Sequence, residues 1–184
     1  ADAWNCDVVI TGSQKAWMAP PGMAMVSVGP RAWRAYQQAK MPRYYLDFGD
    51  ARKYAERHQT PATPAVSVLY GLHASLQRMM AQGPLGIYAR HEAIGEYCRR
   101  GLVEVGCNLF AEEGHRSNTV TAATLPEGHR AAQVLEALRT RYDIIVGSTK
   151  APGVEMIRVG HMGYVSEADL DAVFGALGEI LREG

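Results

Sequence analysis

The sequence predicts an α/β fold, and three patterns along the chain support this class. An apolar, β-branched run at residues 8–10 precedes a Gly-Ser-Gln-Lys turn, and a second apolar run follows at 23–28. Apolar residues then recur at helical spacing over 65–82 and 85–105. Strand and helix patterns alternate through the rest of the chain, which is typical of an α+β region.

Composition excludes several classes of protein. The chain has 184 residues, of which 47% are hydrophobic, and its 19 basic and 19 acidic residues balance, so no basic excess indicates nucleic acid. Three cysteines without a CxxC motif indicate neither a disulfide framework nor a zinc site, and reduced thiols favour a cytoplasmic protein. No signal peptide or membrane-length apolar run is visible, so we expect no membrane partner. The balanced charge predicts no nucleic-acid partner, and the scattered cysteines and histidines predict no metal.

The first half of the chain predicts three helical stretches. We predict a helix over residues 30–40 with Pro30 in its first turn, an extended segment or short helix over 44–48, and a helical turn over 49–58. Thr63 is predicted to be the N-cap of the helix over 65–82.

A Gly83-Pro84 step breaks the long helical pattern. We therefore predict two domains, 1–83 and 84–184. The second begins with a helix over 85–105, whose charged residues are interpreted as one solvated face: His91, Glu92, Glu96, Arg99 and Arg100.

The last third of the chain alternates between strands and helices. Strands are predicted at 108–111, 118–125, 144–147 and 155–160, helices at 131–142 and 167–183, and a loop through 151–153. Ser166 and Asp169 approximate a capping box at the start of the last helix.

Lys15 is the first candidate for chemistry, because lysine is rarely found at the end of a buried strand. It is either a solvated ammonium on a surface turn, or an amine held near apolar walls that carries a carbonyl compound as a Schiff base. Ser13 and Gln14 place hydrogen-bonding groups beside it.

Two further positions could bind anionic groups. Thr63 is either a plain N-cap or a phosphate ligand at a helix start. Arg158 is either an outward residue of an alternating strand or a fork for a carboxylate, and His161 either lines the same site or is a loop histidine. No nucleophile elbow, P-loop or dinucleotide motif is present.

Three segments, in this order, resemble those of class V aminotransferases, which are pyridoxal-phosphate enzymes of fold type I. They are Asp-Ala-Trp-Asn-Cys-Asp-Val-Val-Ile-Thr-Gly-Ser-Gln-Lys at 2–15 with Pro-Pro-Gly at 20–22, Thr-Pro-Ala-Thr-Pro at 60–64, and Ile-Arg-Val-Gly at 157–160 with Met-Gly at 162–163. The likeness is greatest to the alanine–glyoxylate, serine–glyoxylate and serine–pyruvate group. It implies the C-terminal part of that fold: the end of the large-domain sheet, an interdomain helix and a small α+β C-terminal domain.

The resemblance also implies a role for each residue. Lys15 would hold pyridoxal 5'-phosphate as a Schiff base and move the proton between the substrate Cα and the cofactor, and Gln14 would contact the cofactor beside it. Thr63 would bind the phosphate of the neighbouring subunit in a homodimer with shared active sites. Thr60, where some relatives carry tyrosine, is a second phosphate candidate, and Arg158 would clamp the substrate carboxylate.

The activity implied is transfer of an amino group from alanine or serine to a 2-oxo acid such as glyoxylate or pyruvate. Alternatives are a lyase or desulfurase of the same superfamily, and a non-catalytic interaction domain that keeps the fold. Family members also have a glycine-rich phosphate loop, a ring-stacking aromatic and an acid for the pyridine nitrogen, none of which is assigned here. We therefore expect these 184 residues alone to be inactive.

Overall fold

A computed structural model describes residues 2–148 and 153–183. The chain divides into two compact units, one ending at Gln77 and the other beginning at Arg78. This division precedes the predicted domain boundary at Gly83, and the assignment of the units to a large and a small domain stays a prediction. The elements are a short 3-10 helix Asp2–Trp4, β1 Val8–Gly12, β2 Ala24–Val28, α1 Pro30–Gln38, α2 Phe48–Ala55, α3 Val66–Gln82, α4 Pro84–Glu104, β3 Asn108–Leu109, β4 Val120–Thr124, α5 Ala131–Tyr142, β5 Gly147–Ser148, β6 Met156–Gly160 and α6 Glu167–Glu183.

In the first unit, β1 and β2 form an antiparallel pair in which Val8 lies opposite Val28. The prediction of a buried strand before Lys15 is wrong for the described residues, because Ile10 is 67% exposed and Val8 is 42% exposed. The two strands pack mainly against each other. A two-stranded sheet without a covering layer leaves both of its faces open to solvent.

Helices α1 and α2 begin at residues that suit a helix start. Pro30 occupies the first turn of α1, as predicted. Asp47 caps α2, since its carboxylate accepts hydrogen bonds from the backbone N–H groups of Gly49 and Asp50. The helical turn predicted over 49–58 is observed as Phe48–Ala55, so it begins one residue earlier and ends three residues earlier than predicted.

The long helical pattern is interrupted where the sequence predicts. Gly83 has φ +74° and precedes Pro84, which is the first residue of α4. Glycine tolerates this left-handed conformation, and proline cannot continue the hydrogen bonding of the preceding helix. Two helices therefore follow each other, α3 and α4.

The second unit is an α+β layer structure, as predicted. Its antiparallel sheet has the order β3-β4-β6-β5, and Ala123 of β4 lies opposite Ile157 of β6. Helix α6 packs against α4 and α5, and α4 and α5 contact this sheet. The core includes side chains that are fully buried: Cys98, Leu102, Ala123, Leu138, Ile157 and Leu177.

The predicted capping box is confirmed, whereas all four predicted strands are shorter in the structure. Ser166 and Asp169 form the reciprocal capping bonds, with the Ser166 N–H donating to Asp169 Oδ2 over 2.8 Å. The strand predicted over 144–147 pairs only at Gly147–Ser148, because Asp143 ends α5 with φ +56° and the chain is irregular up to Gly147. Of the predicted loop at 151–153, Ala151 and Pro152 lie outside the described residues.

The predicted solvated face of α4 is partly wrong. Glu92, Glu96 and Arg100 are exposed, but His91 is only 7% and Arg99 only 8% exposed. Arg99 donates to Glu96 and to the carbonyl oxygen of Ser117, so its charge is paired inside the unit. Gly95 makes room for this arrangement, since a Cβ there would lie 3.2 Å from Arg99 Nη1.

No helix of the described ranges, 2–148 and 153–183, has both the length and the apolar character needed to cross a membrane.

Candidate functional site

The turn that carries Lys15 is closed by one buried hydroxyl. Ser13 is fully buried, and its Oγ donates to the carbonyl oxygen of Pro20 over 2.7 Å. The same oxygen accepts from the Met23 N–H at 3.3 Å, while the Ser13 N–H donates to the Met23 carbonyl at 2.9 Å. Ser13 therefore joins the two ends of the turn between β1 and β2.

The same turn is attached to α3. Ser75 donates its hydroxyl to the carbonyl oxygen of Trp17 over 2.5 Å, and the Trp17 indole N–H donates to Thr11 Oγ1 over 2.9 Å. The ring of Pro20 lies against Gly71, where a Cβ would be 3.0 Å from the proline Cδ. Backbone atoms on both sides of Lys15 are thus held in place.

The Lys15 side chain itself is exposed, so the apolar walls predicted around it are wrong for the described residues. Among those residues, no hydrogen bond or ion pair is recorded for its ammonium group. A lysine with an immobilised backbone and an unengaged amine fits covalent attachment of a carbonyl cofactor.

Gln14, next to Lys15, folds back over the end of β1. A Cβ at Gly12 would lie 2.7 Å from Gln14 Oε1, so the glycine leaves room for the amide. Gln14 is exposed and stands beside Lys15 in the same turn, as predicted.

The two threonines that are phosphate candidates share one shallow surface pocket. It is lined by residues 58–64 and Leu69. The prediction that Thr63 caps α3 is wrong, because the helix begins only at Val66. Thr63 lies instead in the irregular segment before the helix, while the Thr60 hydroxyl donates to the carbonyl oxygen of Ala62 over 2.6 Å. His58, with φ +54°, lines the same pocket and was missed because nothing in its sequence pattern singles it out.

Arg158 belongs to the second unit and lies on the open face of its sheet. The burial alternates along β6, with Ile157 and Val159 buried and Arg158 exposed. The guanidinium lies over Gly147 of β5, where a Cβ would be 3.5 Å from Nη2 and 3.6 Å from Nε. No ion pair to it is recorded within the described ranges. A guanidinium that has no ion-pair partner among the described residues and lies beside a glycine suits bidentate binding of a carboxylate.

His161 does not share the open face with Arg158, so the interpretation that it lines the same site is wrong; it lies in the loop after β6, as the alternative predicted, but is buried there. It is 1% exposed and its Nε2 lies 2.9 Å from Thr121 Oγ1. Burial, together with the nearby Arg99 and His91, lowers the pKa of His161 to about 4.

The structure brings some of the predicted residues together and leaves others apart. Lys15 and Gln14 share one turn, Thr60 and Thr63 share one pocket, and all four lie in the first unit. Arg158 lies in the second unit. In the parts of the chain that are described, no group of three His, Cys, Asp or Glu side chains could hold a metal ion.

Fold and site define an α/β chain with the architecture of the C-terminal part of a fold-type I transferase. The profile of the family "Aminotransferase class-V" matches residues 1–173. The chain therefore belongs to the class V aminotransferase family.

Relatives of known sequence and structure agree with this assignment. The chain is 38% identical to the small subunit of a soluble hydrogenase from Synechococcus sp. (strain PCC 6716), covering 99% of this chain and 47% of that protein. It is 32% identical to serine–glyoxylate aminotransferase from Methylorubrum extorquens, covering 100% of this chain and 48% of the relative. A crystal structure of alanine–glyoxylate aminotransferase from Nostoc sp. superimposes with a TM-score of 0.92 at 27% identity, over 98% of this chain and 49% of that one. The chain spans about half the length of the curated relatives it matches.

Proposed function

We propose that the protein containing this chain is a pyridoxal-phosphate-dependent aminotransferase that transfers an amino group from alanine or serine to glyoxylate or pyruvate. The observation that carries this proposal is the unengaged, exposed amine of Lys15 on a turn immobilised by Ser13 and α3. Family membership supports the reaction class. The names of the relatives that act on glyoxylate support the choice of substrates.

Each candidate residue has a distinct task in this proposal. When bound, the cofactor supplies an electron sink for the bonds at the substrate Cα. Lys15 would attach the cofactor covalently through Nζ and, as a free amine once the substrate amine has replaced it, would take up and return the substrate Cα proton, while Gln14 would contact the cofactor beside it. Thr63 and Thr60 offer hydroxyl groups to its phosphate. The Arg158 guanidinium holds the substrate carboxylate by two parallel hydrogen bonds, which fixes the orientation of the Cα bonds.

Two further features belong to the proposal. A homodimer would let the exposed pocket of Thr60 and Thr63 serve the neighbouring subunit. The molecular mass of the full protein, measured by sedimentation in the analytical ultracentrifuge, tests this. The three cysteines are all free thiols, which supports a reducing, cytoplasmic location. Cell fractionation tests that location.

Borohydride reduction in the presence of pyridoxal phosphate tests the role of Lys15 directly. We expect the reduced label on the peptide that contains Lys15, and its loss in Lys15→Ala. Lys40→Ala is the matched control, because Lys40 is also exposed and lies outside the turn. Label spread evenly over the lysines of the full protein, or no label at all, would contradict the proposal and favour an interaction domain.

The reaction type is tested with the full protein and unlabelled substrates. Transfer of nitrogen from alanine to glyoxylate is expected, and release of ammonia or sulfide without transfer would indicate a lyase or desulfurase instead. The same assay on the 184 residues alone is expected to show no turnover, and efficient turnover there would contradict the need for the rest of the protein.

A further inference from the structure

The turn after β6 is clamped by two consecutive residues of α4. Arg90 donates a guanidinium hydrogen bond to the carbonyl oxygen of Gly163, and His91 Nε2 lies 3.1 Å from the Gly163 N–H. Gly163 has φ +81°, a conformation that favours glycine. Helix α4 therefore binds both the N–H and the carbonyl group of Gly163, at a position where the backbone conformation favours glycine.

The hydrogen bonds of His91 determine its protonation. Its Nδ1 lies 2.8 Å from the carbonyl oxygen of Ile87, and a carbonyl oxygen only accepts, so Nδ1 carries the hydrogen. Nε2 must then present its lone pair to the Gly163 N–H. A second proton on Nε2 would point at that N–H and break the contact, so the clamp requires the neutral ring.

A second attachment joins the same turn to β4. The His161 N–H donates to the carbonyl oxygen of Thr119 over 3.0 Å, which extends the pairing of β4 and β6 by one residue beyond Gly160 and Val120. The buried His161 ring contacts the Thr121 hydroxyl, and the charged or titratable groups around it are Arg99 and His91 of α4. Residues 161–163 are thus fixed from the strand side and from the helix side.

This turn directly follows the strand that presents Arg158. His161 is three positions after Arg158 and occupies the buried face of the chain, while Arg158 occupies the open face. A strand whose exit is fixed on one face cannot twist freely, so the clamp restrains the direction in which the guanidinium projects.

We propose that Arg90, His91 and His161 are positioning residues that set the orientation of Arg158 toward the substrate carboxylate. This inference rests on the proposed function, because it needs Arg158 to bind that carboxylate. The alternative is a purely structural role, in which the clamp only stabilises the second unit.

The geometry of the clamp is tested without any assay of activity. NMR of isotope-labelled histidine rings in the full protein is expected to show His91 as the neutral tautomer with hydrogen on Nδ1, the less common form in solution. The signal is assigned by its disappearance in His91→Gln. A ring protonated on Nε2 would overturn the inference, since it could not accept from Gly163.

A double-mutant cycle in the full protein separates positioning from stability. Arg90→Met removes the bond to the Gly163 carbonyl from a half-buried position, and Arg100→Met is the control, because Arg100 is an exposed arginine of the same helix. We expect Arg90→Met to lower kcat/KM for the amino donor about tenfold, mainly through KM, and the control to leave it unchanged. In an Arg158→Ala background the same change should have an effect of less than about twofold.

The histidine arm of the clamp has its own pair of variants. His91→Gln keeps an acceptor for the Gly163 N–H and should retain a KM near that of the unmodified protein, whereas His91→Leu should behave like Arg90→Met.

The outcomes distinguish this inference from the proposed function. If Arg158→Ala raises KM but Arg90→Met lowers kcat/KM equally in both backgrounds, the clamp is only structural and the inference fails alone. If Arg158→Ala leaves KM unchanged, the carboxylate role of Arg158 fails, and the positioning role fails with it.

Discussion

At the scale of single residues, Ser13 has a larger structural role than its polar character in the sequence indicates. Its hydroxyl both donates to Pro20 and accepts from Met23, so one side chain closes the turn around Lys15. Loss of a buried hydroxyl that satisfies two backbone groups leaves those groups without a partner.

We expect Ser13→Ala to lower the free energy of unfolding by about 1–2 kcal/mol and to slow borohydride labelling of Lys15, because the turn loses its closure. Urea titration followed by circular dichroism measures the stability. Ser67→Ala is the control, since Ser67 is exposed on α3, and it should change stability by less than about 0.5 kcal/mol. A Ser13 variant as stable as this control would show that the turn is held by other contacts.

His161 makes the stability of the second unit depend on pH. Burial lowers its pKa from 6.5 to about 4, so between these values the unfolded chain binds a proton that the folded chain does not. Stability from this group is therefore present above about pH 6.5 and is lost as the pH falls toward about 4.

The free energy of unfolding should fall by up to about 3 kcal/mol over this pH range on account of His161. Urea titrations at about pH 7, 6, 5 and 4 measure the slope, and His161→Asn should remove this part of it. His115→Asn, which changes an exposed histidine, should leave the slope as it is. An unchanged slope in His161→Asn would mean that the ring is protonated in the folded state.

Individual site residues were predictable to different degrees. Lys15 lies in the predicted turn and Arg158 at an outward strand position, but the buried strand and apolar walls predicted around Lys15 are not found among the described residues. His91 and Arg99 were predicted to be solvated because their partners, Gly163 and Ser117, are distant in sequence and give no local pattern.

At the scale of elements, the contact between α4 and α6 depends on a glycine. A Cβ at Gly101 would lie 2.2 Å from Cε2 of Phe174, so the aromatic ring occupies the space that any side chain would need. The ring also packs against Tyr97, with centroids 6.1 Å apart, which limits how far it can move.

Gly101→Ala should therefore destabilise the second unit by about 1–3 kcal/mol, although alanine is the better helix former. Gly175→Ala is the matched control within α6, because no atom lies within 4 Å of a Cβ there, and it should stabilise the unit by about 0.5–1 kcal/mol. Phe174→Leu should recover part of the loss in the Gly101 variant. Thermal unfolding of the three variants measures these changes, and equal effects of the two alanines would contradict the clash.

Elements with a sequence-local start or stop were predicted well. Pro30, the Gly83-Pro84 step and the Ser166–Asp169 box each act within one helical turn, and all three are found in the structure. The start of α3 was misplaced because two prolines made Thr63 resemble a cap, whereas the helix begins at Val66. The strand at 144–147 was overextended, since only its end finds a partner in β6.

At the scale of the whole molecule, the two units differ in how much apolar surface they bury. The second contains a continuous core with Leu102, Ile157 and Leu177 fully buried. Among the described apolar residues of the first unit, those that are buried are Ala19, Val68 and Leu72, and each remains 7–9% exposed. Stability follows buried apolar area, so the units should open with different free energies.

Hydrogen exchange of the 184-residue chain should show this difference. Amides of β6 and α6 are expected to exchange on the order of a hundredfold more slowly than those of β1 and β2, because the sheet of the first unit is exposed on its faces. Amides of α5 serve as the internal control for the second unit. Equal protection in β1 and β6 would mean that both units unfold as one.

The class of fold was predictable from the sequence because period-two and helical patterns are clear over most of the chain. The exposure of β1 was not predictable, since an apolar, β-branched run has the same sequence whether or not another layer covers it.

The distribution of tryptophan gives the protein an optical label confined to one unit. Trp4, Trp17 and Trp33 all precede Gln77, and they are the only indoles in the sequence. Emission from indole therefore reports the first unit, and Trp17 reports the Lys15 turn itself through its hydrogen bond to Thr11. Fluorescence and far-ultraviolet dichroism recorded on one sample would follow different parts of the chain, and non-coincident transitions would reveal the two units in a single titration.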